Sequence, residues 1–272
     1  MRVIPQYIME APPPPPPVTS TTNSTSLSRM KTVPKKQSSI VERAQNSLQW
    51  RVGKGSLPTY SIKIGENQVT VKQHPQTAES EMATGSTVWD CAIVMANYLQ
   101  SYCSKLPENY WVDKNVLEVG SGTGIVGIIC GLLFQGSNLI ISDLEILLPL
   151  IRENLETNQN ALGDNLTKNI SVQNFTWGTA PELNPSPPYD YIIASDVVWP
   201  KIDNSLLIDA LKRVTNENTK IILAYEYRNQ SCRTTFFKAA EPFFEFTRLP
   251  ESELGLFTTD DIEVYHIKRK NF

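Results

Sequence analysis

The stretch VLEVGSGTGIVG, Val116–Gly127, runs an apolar strand into a glycine-rich turn and then directly into a helix. Gly120, Gly122 and Gly124 fall at every second position. Residues without a Cβ let the chain turn tightly there and bring its backbone against a ligand. Asp143 closes the next apolar run, 21 residues beyond Gly122. A carboxylate at that place can accept hydrogen bonds from the 2′- and 3′-hydroxyls of a ribose. Loop and acid together describe a nucleoside site at the carboxyl ends of two strands. Asp196 follows another apolar run, Tyr191–Ala194, and is expected to project from the same edge toward the same cleft.

Two cofactor classes use such a loop. Gly122, Gly124 and Gly127 satisfy the dinucleotide pattern GxGxxG, and Asp143 has the matching distance. In that register Gly120 and Ser121 intervene between the strand and the first fingerprint glycine, whereas a dinucleotide loop begins as the strand ends. Read from the strand end, the motif is Glu118-x-Gly120-x-Gly122. A carboxylate in the last turn of the strand suits a cationic, amino-acid-bearing ligand and repels a pyrophosphate. The charge argument therefore favours S-adenosylmethionine over a nicotinamide dinucleotide.

These residues need a frame. After Pro107 short apolar strands alternate with helical patterns. Strands are expected at Val116–Val119, Leu139–Ile141, Ile170–Val172, Tyr191–Ala194, Ile221–Ala224, Phe244–Phe246 and Ile262–Ile267. Helices are expected at Ile125–Phe134, Ile146–Asn158, Leu206–Val214 and Arg233–Ala240, with a further one at Val88–Leu99. Such alternation predicts an α/β fold: a Rossmann-like, doubly wound and mostly parallel seven-stranded sheet with helices on both faces. Ahead of it, Tyr60, Ile62 and Ile64, the turn residues Gly65-Glu66-Asn67, and Val69 and Val71 read as a β-hairpin over about residues 59–73.

The chain of 272 residues divides unevenly. Residues 1–45 hold the hexaproline Pro12–Pro17, a run of Ser and Thr, six basic and two acidic side chains, so this arm is about +4 within a chain of net charge −3. It cannot bury enough apolar surface to offset its ordering and is expected to be disordered. Its polyproline is a stiff spacer or an SH3- or WW-type ligand. Residues 46–272 form the single predicted domain. With 25 basic against 28 acidic residues there is no overall basic field, so nucleic acid is not expected as a partner. No apolar run reaches the ~18–20 residues of a membrane-spanning helix, and no membrane partner is expected. Cys91, Cys103, Cys130 and Cys232 are scattered, with no metal-ligand spacing to His74 or His266. They fit small buried apolar residues in a reducing compartment, hence an expected cytoplasmic location, with the nucleus as a second one, no metal, and a monomer by default.

On these segments the sequence resembles the class I, seven-strand S-adenosylmethionine-dependent methyltransferases, and more narrowly the protein-lysine methyltransferase family 16. The similarity spans most of Thr59–Lys270 and is carried by VWDCAIVMANYL, the glycine loop, ISDLE, FTWG and DYIIASDVVW in order. It implies S-adenosylmethionine as cofactor, held by Trp89, Glu118, the backbone of Gly120, Ser121 and Gly122, Asp143, Trp177 and Ser195. It also implies a protein substrate. PSPPYDYIIASD, AYEYR and DDIEVYHIKRK are most similar to family members that modify a valosin-type AAA ATPase, so a AAA ATPase is one candidate acceptor. An elongation factor or a small molecule, and a cofactor-binding module without turnover, are the alternatives.

The family carries a D-x-x-Tyr pattern after the fourth strand; here the residues are Asp196-Val197-Val198-Trp199. Trp199 keeps the aromatic wall, but an indole only donates. Methyl transfer to lysine needs a neutral amine, and an unperturbed lysine of pKa about 10.4 is neutral in under about one molecule in a thousand at pH 7. Asp196 is expected to anchor the incoming ammonium and orient the amine. Tyr225 and Glu226, in the AYEYR stretch, are expected on the substrate side by resemblance.

Overall fold

The alternating pattern folds as expected into an antiparallel hairpin, β1 (Thr59–Ile64) and β2 (Asn67–Lys72), in the computed structural model, which describes residues 56–74, 84–163, 169–200, 203–255 and 259–271. The expected basic arm lies outside the described residues. Ile64 pairs with Asn67, so the turn is Gly65-Glu66 alone and Asn67 already belongs to the ladder. Val69 and Val71 are fully buried.

The outer edge of β2 is closed by two asparagines one helical turn apart in α3 (Leu148–Thr157) and just past it. Asn154 accepts from the Lys72 N–H at 2.7 Å and donates to Lys72 O at 3.1 Å, while Asn158 does the same for Thr70 at 2.9 and 2.7 Å. Side-chain amides thus complete the β2 ladder. Asn154 also donates to Thr123 O at 2.9 Å, tying the hairpin to the glycine loop. Each buried amide group left without its partner would cost about 1–3 kcal/mol.

The long sheet contains β3 (Asn115–Val119), β4 (Asn138–Asp143), β5 (Ile170–Asn174), β6 (Tyr191–Ser195), β7 (Lys220–Glu226), β8 (Phe244–Arg248) and β9 (Ile262–Arg269), in the order β5-β4-β3-β6-β7-β9-β8. All pairings are parallel except those of β9, which runs antiparallel to both neighbours. The seven-stranded, mostly parallel sheet is the expected one. Most strands extend a residue or two past the apolar runs that identified them, because the ladder carries flanking polar residues with it.

Helices cover both faces. α1 (Asp90–Cys103), α2 (Ile125–Leu133), α3 and the short α4 (Gln159–Leu162) pack with the hairpin on one side; α5 (Asn204–Val214) and α6 (Gln230–Ala240) lie on the other. α1 runs four residues beyond the expected Leu99 because Tyr102 and Cys103 continue its apolar stripe against the core. The single helix expected from Ile146 is a 3₁₀ turn, Glu145–Leu147, followed by α3, whose first turn contains Pro149. A residue without an N–H is tolerated there and not farther along. Strand alternation assigns Val116 to the first face and Leu117 and Val119 to the second. The sheet order reverses between β3 and β6, which opens a crevice outside their carboxyl ends.

Candidate functional site

The glycine loop occupies that crevice. Gly120 and Gly122 take φ of +65° and +57°, the left-handed region that a side chain disfavours. A Cβ on Gly120 would lie 2.7 Å from Val197 Cγ1 and 3.3 Å from Trp177 Cζ2; one on Gly122 would lie 2.8 Å from the carbonyl oxygen of Gly85. Ser121 locks the loop to β4, its N–H and its hydroxyl both donating to Ser142 O at 3.1 and 2.8 Å. Asp143 accepts from the N–H of Gly122 and of Leu144, each at 2.7 Å. Burial raises its pKa, and those two N–H groups draw it back.

Trp177 and Ser195 flank the loop. Trp177 is partly buried and packs on the second core, its ring edge toward Gly120. Ser195 ends β6 with its Oγ buried and without a hydrogen-bond partner among the described residues. These features fit an adenosyl cofactor: a backbone cradle without Cβ atoms, a carboxylate at a strand end, an aromatic face, and a hydroxyl that lacks a partner. Glu118 belongs to the same loop but is only 1% exposed. Its Oε2 lies against Gly127 in the space a Cβ there would need, and has no hydrogen-bond partner among the described residues. Burial, and then the Asp143 charge, push its carboxyl up to about 8.

The second half of the crevice is made of charges. Asp196 follows β6 in a left-handed turn, φ +60°, a conformation Asp tolerates better than most residues, and its N–H still bonds Ala224 O at 3.0 Å. Its carboxylate is already paired. Arg228 grips it with both nitrogens, Nη1 to Oδ1 and Nη2 to Oδ2, each at 2.7 Å. The same Nη2 donates to Glu226 Oε2 at 2.9 Å. Burial opposes the Arg228 charge, and the Asp196 and Glu226 carboxylates outweigh it, so its pKa is raised. Trp89, before α1, lies beside the guanidinium with its ring centroid 6.0 Å from Cζ, and its indole N–H donates to Thr84 O at 2.7 Å. Trp199, three residues past Asp196, is partly buried.

The expected substrate side is therefore revised. Tyr225 is 1% exposed and sits in the second core beside Phe237, because β7 continues through Glu226 and the Ile221, Leu223, Tyr225 alternation turns it onto the covered face. Glu226 is neither a solvated loop carboxylate nor an open acceptor of basic residues; it is the second partner of Arg228. Arg228 is the residue that sequence reasoning missed. Its only signal was position, in AYEYR two residues after Glu226, and its main partner is 32 residues away. What the structure brings together is Trp89, Gly120–Gly122, Asp143, Trp177, Ser195 and Asp196, with Arg228 and Glu226; it leaves Glu118 beneath the loop and Tyr225 in the core.

A family model described as lysine methyltransferase matches residues 67–243. The chain is 30% identical over 199 residues to the mouse protein-lysine methyltransferase METTL21E, covering 72% of this chain and 76% of that one. It is also 30% identical over 168 residues to the mouse EEF1A lysine methyltransferase 3, covering 61% of this chain and 66% of the relative. Among solved structures, the glycopeptide N-methyltransferase MtfA complexed with S-adenosylmethionine superposes with a TM-score of 0.48 and 9% identity, over 64% of this chain and 94% of that one.

Proposed function

Because the chain belongs to the lysine methyltransferase family, we propose that it transfers a methyl group from S-adenosylmethionine to the side-chain nitrogen of a lysine in a protein acceptor. One observation carries this reading. A Cβ on Gly120 would meet both Trp177 and Val197, the neighbour of Asp196, which supports a single site joining the cradle for an adenosyl group to the charged acceptor end.

Trp89, the backbone of Gly120–Gly122, Asp143, Trp177 and Ser195 are the residues that would hold the cofactor, which supplies an electrophilic methyl group on a positively charged sulfur. Asp143, already oriented by Gly122 and Leu144, keeps lone pairs for ribose hydroxyls. Trp89 and Arg228 form the outer wall on the acceptor side, with Asp196 beneath them. The acceptor amine would have to give up its proton to water and present a free lone pair before it could take that methyl group. Alignment of the two reactants supplies most of the acceleration.

The acceptor is a protein by the names of the relatives. Resemblance of AYEYR and DDIEVYHIKRK favours a AAA ATPase; the likeness to the EEF1A-modifying mouse enzyme favours an elongation factor as a second reading. S-adenosylhomocysteine at a hundred times its Kd should stabilise the protein by about 2.7 kcal/mol in a thermal unfolding scan, and NADH should not. Labelled methyl transfer into a cell extract, with mass spectrometry of the labelled band, would name the acceptor. A protein that is unmoved by S-adenosylhomocysteine and labels nothing would overturn the reading.

A further inference from the structure

Resting on the methyl-transfer reading above, we propose that Arg228 is a positioning residue whose guanidinium offsets the paired carboxylates at the acceptor end, so that an arriving lysine sheds its proton at a lower pH than it would beside the two carboxylates alone. The order of burial carries the argument. The Asp196 side chain is 5% exposed and its partner Arg228 26%, so the guanidinium is the more accessible member of that pair. An acceptor nitrogen entering beside Trp89 therefore meets a fixed guanidinium before it meets Asp196.

The sign follows from charge. Asp196 and Glu226 alone present two negative charges, which would hold an ammonium in its protonated form, without the lone pair the reaction needs. Arg228 cancels one of these two charges: the three groups still draw a cationic lysine in, but hold it in the protonated form less strongly than the carboxylates would alone. The bidentate geometry also fixes the Asp196 carboxylate in one orientation.

The other groups facing the cluster do not supply this charge. Cys91, from α1, faces Asp196 as a thiol that burial, then Asp196 and Glu226, hold well above its ordinary value. Cys232, from α6, is likewise raised, first by burial. The Tyr225 hydroxyl lies in the core, and burial pushes it up to about 12. Trp89 carries no charge. Among the described residues Arg228 is the cation whose ion pairs join these two carboxylates.

The test is the pH dependence of the single-turnover rate of methyl transfer from labelled S-adenosylmethionine to the extract protein that the wild-type enzyme labels. Arg228→Gln should move the midpoint up by at least about one pH unit, a roughly tenfold loss at pH 7.5 that returns as the pH is raised. Glu226→Gln should move it down. Arg228→Lys, which keeps the charge and loses the fork, should restore the wild-type midpoint with a lower plateau. Affinity for S-adenosylhomocysteine should stay within about twofold in all three. Midpoints that coincide, with plateaus merely scaled, would overturn the proposal and leave Arg228 a structural residue. If Arg228→Gln does not fold, the opposite displacement in Glu226→Gln decides alone. A wild-type protein that labels nothing would instead end the methyl-transfer reading, and the role of Arg228 with it.

Discussion

Glu118 lies on β3 and Asp196 directly follows the neighbouring parallel strand β6, Glu118 pairing in register with Ile193 three residues before Asp196. Both carboxyl groups are buried, and the two halves of the crevice treat them in opposite ways. Under the glycine loop Glu118 has, among the described residues, an oxygen without a partner and no cation beside it, and its carboxyl is pushed up to about 8. Across the crevice Asp196 is held by two charge-assisted hydrogen bonds from one guanidinium. The comparison teaches that burial alone does not decide what a strand-end carboxyl does. A buried carboxyl without a counter-charge holds its proton more tightly than usual, and one in a bidentate pair is fixed in one orientation.

The largest effect expected from this difference is on stability against pH. Glu118 binds its proton more tightly in the folded chain than at its ordinary value of 4.5. Its contribution is therefore complete below about pH 4.5 and is lost as pH rises through about 8, on the order of 4 kcal/mol over that window. The protein without cofactor should lose thermal stability from pH 5 to 8, and Glu118→Gln should flatten that slope. An identical slope in the variant would mean that Glu118 is not the buried acid described here.

The next effect belongs to the paired carboxylate. Asp196→Asn removes the oriented anion under Arg228, and a misplaced acceptor should lower turnover by about 10²-fold. Affinity for S-adenosylhomocysteine, whose expected ligands lie in the other half, should stay near wild type. Equal losses in both quantities would merge the two halves that the comparison separates. Gly122→Ala is the reverse probe. A side chain at φ +57° costs about 1–2 kcal/mol, and this one also meets the Gly85 carbonyl, disturbing the N–H that Asp143 accepts. Cofactor affinity should fall roughly ten- to thirtyfold with turnover at saturation less affected, as isothermal titration and saturation kinetics would read.

The two halves also differ in how far the sequence revealed them. The glycine loop, Asp143 and the parallel sheet were legible because their signals are local: apolar runs of four or five residues, glycines at fixed steps, an acid at a strand end. The acceptor end was legible only in part. Asp196 could be placed at the sheet edge, but its partner approaches from the next strand's loop, and no periodicity links positions 32 residues apart. Tyr225 was not legible as a core residue, nor Glu226 as the strand-end partner of Arg228, for one reason. The apolar run seemed to stop at Ala224, whereas β7 continues to Glu226, and each added strand residue turns its side chain to the opposite face. Glu118 was legible as a carboxyl at the loop and not as a buried one, since the packing of Gly127 and Ile141 against it is tertiary.

Two hydroxyls give the finest form of the comparison. Ser195 Oγ and Tyr225 Oη are both buried and without hydrogen-bond partners among the described residues. Their strands are adjacent, Ser195 pairing with Ala224, so the two side chains lie within a residue of each other in register. Ser195 ends its strand at the crevice, one residue before Asp196, whereas Tyr225 packs at 5.7 Å between ring centroids against Phe237. If the lone hydroxyl of Ser195 is kept for a ligand, Ser195→Ala should weaken S-adenosylhomocysteine by about two- to tenfold, the worth of one hydrogen bond, with little change in stability of the free protein. Tyr225→Phe should leave affinity and turnover within about twofold and raise stability by up to ~1 kcal/mol, because a buried hydroxyl without a partner costs more than it returns. Calorimetric titration and an unfolding scan on both variants would read the difference. Loss of turnover in Tyr225→Phe would return that phenol to the substrate side, and an unchanged affinity in Ser195→Ala would move the boundary of the cofactor half back toward the glycine loop.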